Sequence, residues 1–342
     1  MQLYKSICSE ERESTETDGT KKRTGMKIVV LDTNTLTRND MDFSCIDRLG
    51  ETAYYNILTP EEIKDRCRDA EVLLINKAFM SEDVIDALPK LRYIGLFATG
   101  YNNVDLDAAN RRGIAVVNVP GYSTDSVAQH VFAFILTFAS NLPDYNAAVH
   151  RGEWINSDTF SFFPYPIMEL AGKTLGIVGY GNIGRKVASI ADAFGMKVLV
   201  SGRRMHTDCP YDQVDPEQLF RESDFLTLHC PLNADSERLV NETTLKRMKP
   251  TAYLINTSRG GVVDSKALAD ALQRHQIAGA GIDVLPIEPM PADDPLLKAP
   301  NCLITPHIGW ASLESRTRCI RIVGENLRSW MEGHPVNLVK GK

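Results

Sequence analysis

The sequence lacks the features of a membrane protein, a disulfide framework and a nucleic-acid-binding surface. Across its 342 residues no apolar run approaches the roughly 20 residues that a membrane-spanning helix requires. The seven cysteines are scattered without a Cys-x-x-Cys spacing, which suits free thiols in a reducing, cytoplasmic compartment better than disulfides or a zinc site. The net charge is −6 and the one basic run is Lys21-Lys22-Arg23, so we expect neither nucleic acid nor a membrane as a partner.

The first 25 residues are polar and charged, and they lack the apolar core that a signal peptide needs. We expect this segment to be a disordered leader or a small extension. The fold is predicted to begin with the apolar run that follows Met26. The remaining length is sufficient for two domains, each with its own core.

A glycine-rich turn between a strand and a helix carries the strongest signal for a ligand. Leu175–Val178 predicts a buried parallel strand, and Arg185–Phe194 has the apolar spacing of a helix. Between them Gly179 permits a tight turn, Gly181 lets the backbone approach a pyrophosphate, and Gly184 lets the helix pack on the strand. Because the free amides of the helix N-terminus then face the phosphates, the pattern predicts a dinucleotide site.

Strands and helices alternate on both sides of this turn, which predicts an α/β fold of two Rossmann-like, doubly wound parallel-sheet domains. The last helix, Ser312–Met331, follows the second sheet and is expected to return to the first domain. The first domain is then discontinuous and flavodoxin-like. We predict a substrate-binding domain of residues 26–118 plus 307–342, and a dinucleotide-binding Rossmann domain of residues 119–306.

Two segments suggest contacts beyond one domain. Gly121–Ser140 predicts a helix too apolar to be solvated on every side, which either crosses between domains or packs on a second subunit. Residues 151–166 carry five aromatic side chains among prolines, so this segment is either an arm on a neighbouring subunit or a small satellite core.

Polar side chains of catalytic types follow three successive strands. Arg259 comes just beyond one strand, and its guanidinium fork suits a carboxylate. Asp283 and Glu288 follow the next strand, and His307 follows the last. A histidine beside a carboxylate forms a general acid/base pair. The other histidines are interpreted as structural and no metal site is expected; they are His130, His150, His206, His229, His275 and His334.

At these motifs the sequence resembles the D-isomer-specific 2-hydroxyacid dehydrogenase family, from about Met26 to the C-terminus. The resemblance rests on Ala98-Thr-Gly-Tyr-Asn-Asn-Val-Asp, Val117-Asn-Val-Pro, the glycine-rich turn, His229-Cys-Pro-Leu, Asn256-Thr-Ser-Arg-Gly, Gly281-Ile-Asp-Val and Thr305-Pro-His-Ile-Gly. It implies two Rossmann-like domains and assembly as a homodimer through the nucleotide domain.

The resemblance implies that His307 protonates the substrate carbonyl oxygen, that Glu288 keeps His307 charged, and that Arg259 holds the substrate carboxylate. Backbone amides around Thr99 and Gly100, with Asn76 nearby, are implied to complete the carboxylate site. The implied cofactor contacts are Asp283 at the nicotinamide, Asn182 and Ile183 at the pyrophosphate, and Cys230, Pro231, Ser236, Thr257 and Ser258 along the cleft.

The chain departs from the NAD-preferring members of the family at the end of the second Rossmann strand. Those members place there an acid that binds the ribose 2′-hydroxyl. This chain has Gly202, preceded by Ser201 and followed by Arg203 and Arg204. Two guanidinium groups and a hydroxyl bind a 2′-phosphate, so we predict NADP(H) in preference to NAD(H).

Trp310, three residues after His307, is similar to the glycerate dehydrogenase or hydroxypyruvate reductase branch, which reduces a small polar 2-oxo acid. Reduction of another 2-oxo acid, to D-lactate for example, or action on 3-phosphoglycerate is the alternative. Formate dehydrogenase resembles this chain less, because it has glutamine in place of Glu288. A nucleotide-sensing co-repressor on the same fold remains a second alternative.

Overall fold

The computed structural model describes residues 25–339, and apart from Gly25 the predicted leader lies outside this range. The chain divides into two compact units, one reaching Asn118 and resuming at Ile320, the other spanning Val119–Cys319. The predicted return to the first domain at residue 307 is therefore too early. Residues 307–319 belong with the second unit because the Arg318 guanidinium and the Ser315 hydroxyl both donate to the Tyr122 carbonyl.

The first unit contains a five-stranded, fully parallel sheet with the order β2-β1-β3-β4-β5, which is the flavodoxin-like order. The strands are β1 Lys27–Val30, β2 Glu51–Tyr54, β3 Val72–Ile75, β4 Tyr93–Leu96 and β5 Ala115–Val117. Its helices are α1 Thr33–Leu36, α2 Ser44–Asp47, α3 Pro60–Arg66, α4 Glu82–Asp86 and α5 Leu106–Arg111. Helix α3 begins at Pro60, since Thr59 and Glu62 form a capping box at its start.

The second unit contains a seven-stranded parallel sheet with the order β12-β11-β10-β9-β6-β7-β8. Its strands are β6 Thr174–Val178, β7 Lys197–Ser201, β8 Asp212–Gln213, β9 Phe225–Leu228, β10 Tyr253–Asn256, β11 Gly279–Ile282 and β12 Cys302–Ile304. The order reverses at β6, so the glycine-rich turn after β6 lies at the topological switch point of a Rossmann sheet. The predicted fold class is confirmed.

Helices cover this second sheet, and a last helix leads back to the first unit. They are α6 Thr124–Ser140, α7 Leu142–His150, α8 Asn182–Ala193, α9 Pro216–Glu222, α10 Glu242–Leu245, α11 Ser265–Gln273 and α12 Leu313–Met331, with short 3₁₀ turns at Gly260–Val262 and Pro295–Lys298. Helix α12 begins in the second unit and continues into the first.

Helix α6 buries its apolar face inside the second unit. Val131, Phe132 and Ile135 lie in one core cluster with Leu175 of β6 and Val187 of α8. Neither predicted role, a crossing between domains or packing on a second subunit, is needed to explain the composition of this helix. Within the described range no helix is both long and apolar enough to span a membrane.

Candidate active site

The three glycines of the turn have the geometry that their spacing predicts. Gly179 adopts a φ of +94°, and a Cβ there would stand 2.9 Å from the backbone nitrogen of Cys230. A Cβ at Gly184 would stand only 2.2 Å from the Gly179 carbonyl oxygen, so helix α8 packs directly on the turn. At Gly181 no other atom lies within 4 Å of such a Cβ, which leaves the backbone open to a ligand.

A cleft of about 750 Å³ opens at this turn in the second unit. Nine of the predicted cofactor residues line it: Gly179, Gly181, Asn182, Ser201, Arg203, Arg204, Cys230, Pro231 and Ser236. The other five lie close by in sequence to the ends of the same strands, with Ile183 and Gly184 in the first turn of α8, Thr257 and Ser258 after β10, and Asp283 after β11.

The residues present fit a dinucleotide on two structural grounds. No side chain caps the N-terminus of α8, and its first turn carries no acidic residue, so its amides and the helix dipole are available to an anion. The hydroxyl oxygen of Thr257 is buried and has no hydrogen-bond partner among the described residues. A buried polar atom without a partner is costly, and a bound ligand can satisfy it.

The ribose end of the cleft is basic. Arg203 and Arg204 line it just beyond β7, and Arg203 lies 3.4 Å from a carboxylate oxygen of Asp235, with both side chains well exposed. His206 also lines the cleft, and its ring packs edge-on against Tyr180. This part of the cleft therefore carries two guanidinium groups and one imidazole ring.

Arg259 follows β10 in a turn that the buried Asn256 holds in place. The Asn256 side chain accepts hydrogen bonds from the amide and hydroxyl of Ser258 and donates to the Arg259 carbonyl oxygen at 3.0 Å. A Cβ at Gly260 would overlap the backbone of Leu285, so the loops after β10 and β11 touch. The exposed Arg259 guanidinium is therefore held at the same sheet edge as the acids after β11.

His307 and Glu288 form the predicted pair. The distance between His307 Nδ1 and Glu288 Oε2 is 2.7 Å, and the side chains are 27% and 35% exposed. Glu288 is itself anchored, because its other oxygen accepts a hydrogen bond from the Leu285 amide at 3.0 Å. Nδ1 of the imidazole is thus committed to the carboxylate, and Nε2 is the nitrogen left for a substrate.

The backbone of His307 is in the left-handed region, with a φ of +54°, which a residue with a side chain adopts only when its surroundings impose it. Asp283 supplies that constraint. Its carboxylate accepts hydrogen bonds from the amides of Ile308 and Gly309 and from the Thr305 hydroxyl, at 2.6–2.9 Å. The implied contact of Asp283 with a nicotinamide stays a prediction.

Two titratable groups at this edge of the sheet, Asp283 and His229, have lowered pKa values. Burial, the largest effect, raises the pKa of Asp283, but the hydrogen bonds from His130, Thr305, Gly309 and Ile308 together lower it below its usual value. His229, beside the glycine turn, is partly buried and lines the cleft, and desolvation lowers its pKa to about 3. His229 is therefore neutral at physiological pH.

The remaining predicted substrate residues are distributed over both units. Asn76 is buried in the first unit, and its side-chain amide donates to Thr35 Oγ1 at 2.8 Å. Thr99 and Gly100 follow β4 in the same unit. Trp310 belongs to the second unit, where its ring meets Tyr122 edge-on. Their contacts with a substrate stay predictions.

Sequence reasoning missed two groups that shape these loops. Asp32 is buried after β1, and one of its oxygens accepts hydrogen bonds from three consecutive amides, of Asn76, Lys77 and Ala78. His130, interpreted as merely structural, lies against Thr305 and Asp283. Ser126 and His130 are four residues apart in the sequence, so both side chains lie on one face of α6. This spacing is the sequence signal that the two residues act together.

Among residues 25–339 no group of three or more metal-ligating side chains is present. The six cysteines in that range are unpaired thiols. Burial raises the pKa of Cys230, which lines the cleft, so it is a protonated thiol rather than a nucleophile.

Comparison with known proteins identifies the class that this fold and site define. Residues 132–309 match the family model of the D-isomer specific 2-hydroxyacid dehydrogenase, NAD binding domain. A hydroxypyruvate reductase from Blautia hydrogenotrophica is 40% identical over 322 residues, or 92% of this chain and 99% of that protein. A glycerate dehydrogenase from Methylorubrum extorquens is 40% identical over 318 residues, with 92% of this chain and 99% of that protein covered.

A solved structure agrees. The NADPH-dependent glyoxylate/hydroxypyruvate reductase from Sinorhizobium meliloti, in complex with NADP and malonate, superposes with a TM-score of 0.79 and 28% identity, over 92% of this chain and 96% of that one. The chain belongs to the D-isomer-specific 2-hydroxyacid dehydrogenase family. It is an NAD(P)-dependent oxidoreductase that acts on a hydroxyl group, in the glycerate dehydrogenase-like branch of the family.

Proposed function

We propose that the protein reduces hydroxypyruvate or glyoxylate to D-glycerate or glycolate, with NADPH as the preferred cofactor. The observation that carries the proposal is the 2.7 Å pair of His307 and Glu288, at the sheet edge that also holds Arg259. The choice of substrate is supported by the relatives, of which one is named a hydroxypyruvate reductase and another a glycerate dehydrogenase.

In the proposed mechanism, each of these three side chains has one task. A bound nicotinamide supplies the hydride for the carbonyl carbon. His307 donates a proton from Nε2 to the carbonyl oxygen, since its Nδ1 faces Glu288. Glu288 holds the ring in this orientation and stabilises the charge of the imidazolium. Arg259 binds the substrate carboxylate with its planar fork and polarises the carbonyl. The amides around Thr99 and Gly100 are proposed as further donors to the carboxylate.

The preference for NADPH is supported by the basic end of the cleft. Ser201, Arg203 and Arg204 offer a hydroxyl and two guanidinium groups where an acid is needed to favour NAD. Guanidinium groups bind phosphate oxygens through charge-assisted hydrogen bonds. The S. meliloti relative is described as NADPH-dependent, which agrees with this proposal.

We further propose that two copies of the chain form a homodimer through residues 142–167. Large apolar side chains are concentrated there and strongly exposed, with Ile155 at 87%, Phe160 at 93% and Phe163 at 73%. An exposed apolar patch of this kind marks a protein interface. In size-exclusion chromatography with light scattering, the wild type is expected to be a dimer, and Phe160→Asp is expected to shift it toward the monomer. A monomeric wild type would refute the proposal.

The unpaired cysteines support a cytoplasmic, reducing location.

The activity is tested by following nicotinamide absorbance with hydroxypyruvate, glyoxylate, pyruvate and 3-phosphohydroxypyruvate, each with NADPH and with NADH. We expect the highest kcat/KM for hydroxypyruvate or glyoxylate with NADPH. A higher kcat/KM for pyruvate or the phosphorylated acid would replace the substrate assignment. No turnover with any of the four would refute it.

A further inference from the structure

His130 of helix α6 lies against two residues that hold the loop of His307, namely Thr305 and Asp283. It has no task in the mechanism proposed above. Its side chain is 18% exposed, and its ring packs edge-on against Phe134 of the same helix with centroids 4.8 Å apart. Its Nε2 atom lies 2.9 Å from Thr305 Oγ1 and 3.4 Å from Asp283 Oδ1. Helix α6 thus contacts both Thr305 and Asp283, which hold the turn that carries His307. Residues 305–309 are called the catalytic turn below.

The direction of these hydrogen bonds follows from the protons available. The Thr305 hydroxyl has one proton and donates it to Asp283 Oδ1 at 2.6 Å. Its oxygen is then an acceptor for His130, so Nε2 of His130 must carry a proton. The result is a chain of donors that runs from His130 through Thr305 to the carboxylate of Asp283.

Asp283 passes this constraint to the catalytic turn. Its carboxylate holds the amides of Ile308 and Gly309, and its own carbonyl oxygen accepts a hydrogen bond from the His307 amide at 2.9 Å. The turn is also held from the helix side, because Ser126 donates to the Gly309 carbonyl oxygen at 2.7 Å. Ser126 and His130 are one helical turn apart, so one face of α6 holds both ends of the turn.

Gly309 shows how closely these groups pack. A Cβ at this position would stand 3.0 Å from Asp283 Oδ2 and 3.4 Å from the His130 ring. The turn that gives His307 its φ of +54° therefore rests directly on Asp283 and His130. A strained backbone of this kind persists only when its surroundings over-determine it.

We propose that His130 is a positioning residue that acts on His307 through Thr305 and Asp283. The inference rests on the proposed acid/base role of His307. Without the His130 donor, Asp283 and Thr305 lose one fixed partner, and the strained turn gains alternative arrangements. A displacement of about 1 Å at a reacting group can reduce a rate about 100-fold, so the loss is expected to be no greater than the lower limit for removal of a general acid/base, which is also about 100-fold.

The test compares His130→Leu, which removes the donor, with His130→Gln, whose amide nitrogen can replace Nε2. Thr305→Val removes the next hydroxyl with little change of volume, and the double variant His130→Leu/Thr305→Val completes the cycle. Thr137→Ala is the matched control, because its hydroxyl lies on the same helix and, within residues 25–339, bonds only to the Ala133 carbonyl. For each, kcat, KM for the 2-oxo acid, NADPH binding by fluorescence and Tm are measured.

We expect His130→Leu to lower kcat by about 10- to 100-fold with NADPH binding retained. His130→Gln should recover most of that loss, and the double variant should lose no more than the larger single loss, because both changes interrupt one chain. Wild-type kcat in His130→Leu, or losses that multiply in the double variant, would overturn the proposal. So would a loss that Gln does not restore and that follows Tm and NADPH binding.

Different results would refute the acid/base role of His307 and the positioning role of His130. If His307→Ala retains wild-type turnover, the proposed function of His307 fails and this inference fails with it. If His307→Ala is inactive while His130→Leu and Thr305→Val are fully active, only the positioning role is refuted.

Discussion

Removing Arg203 and Arg204 should abolish the proposed preference for NADPH. The change is Arg203→Ser together with Arg204→Ser, which keeps polar side chains in the cleft and removes both positive charges. NADH lacks the 2′-phosphate, so neither guanidinium contributes to its binding. The two cofactors should therefore respond differently to the same substitution.

The expected magnitude follows from the exposure of Arg203. A hydrogen bond to a charged group contributes about 1.5–3 kcal/mol. Arg203 is 78% exposed and lies 3.4 Å from the competing carboxylate of Asp235, so the lower limit applies. At about 1.5 kcal/mol for each arginine, the double variant should lose about 100-fold in kcat/KM for NADPH.

The assay is the ratio of kcat/KM for NADPH to that for NADH with hydroxypyruvate, measured at low and high salt because exposed charges are screened. Arg221→Ala is the control, since this exposed arginine pairs with Glu222 and does not line the cleft. An unchanged ratio in the double variant would refute the assigned phosphate contact. So would an equal loss for both cofactors.

Three further changes test the turn, the catalytic pair and the lowered pKa of His229. Gly184→Ala should lower Tm and weaken NADPH binding, because its Cβ would stand 2.2 Å from the Gly179 carbonyl oxygen. Glu288→Gln should lower kcat by about tenfold or more, because the imidazolium of His307 loses its charged partner. The pKa of His229 is lowered from 6.5 to about 3, so between these values the unfolded chain binds a proton that the folded chain does not. Its contribution to the free energy of unfolding should fall by about 1.4 kcal/mol per pH unit of acidification below about 6.5. In urea titrations at several pH values, His229→Gln should remove that component.

Each of these three predictions has a control or a result that would contradict it. Gly181→Ala should lower Tm less than Gly184→Ala, since apart from its chain neighbours nothing lies within 4 Å of its Cβ and only the N-cap preference for glycine is lost. An equal Tm loss in both glycine variants would contradict the packing argument. Wild-type kcat in Glu288→Gln would remove that residue from the mechanism. Parallel pH profiles of stability for the wild type and His229→Gln would contradict the lowered pKa of His229.

The sequence predicts the elements that are apolar and periodic. The apolar runs Val72–Ile75 and Lys197–Ser201 predict strands, and β3 and β7 have these bounds. Every side chain of β3 and all but the first of β7 are buried. Strand β2 was missed, since its four residues are only partly buried and sit at a sheet edge. Helix α8 begins at Asn182 rather than at the predicted Arg185, so its first turn includes Gly184 despite the low helix propensity of glycine. A residue with a side chain would not fit there, because its Cβ would stand 2.2 Å from the Gly179 carbonyl oxygen.

Long-range partners mark the limit of prediction for the site. His307 and Glu288 are close in sequence and at strand ends, so their pairing could be inferred. His130 and Thr305 are 175 residues apart, and only the fold brings them together. The domain boundary was misplaced for the same reason, because the contacts of residues 307–319 with Asp283 and Tyr122 are not visible in the sequence.

His307 is proposed to transfer the proton in the reaction, and this role is tested most directly by measuring the turnover of His307→Ala together with its affinity for NADPH. General acid/base catalysis contributes about 10²–10⁴-fold. We expect a loss of kcat in that range with NADPH binding essentially unchanged, because the proposed task of His307 is to protonate the substrate and not to hold the cofactor. Wild-type turnover in His307→Ala would contradict the account.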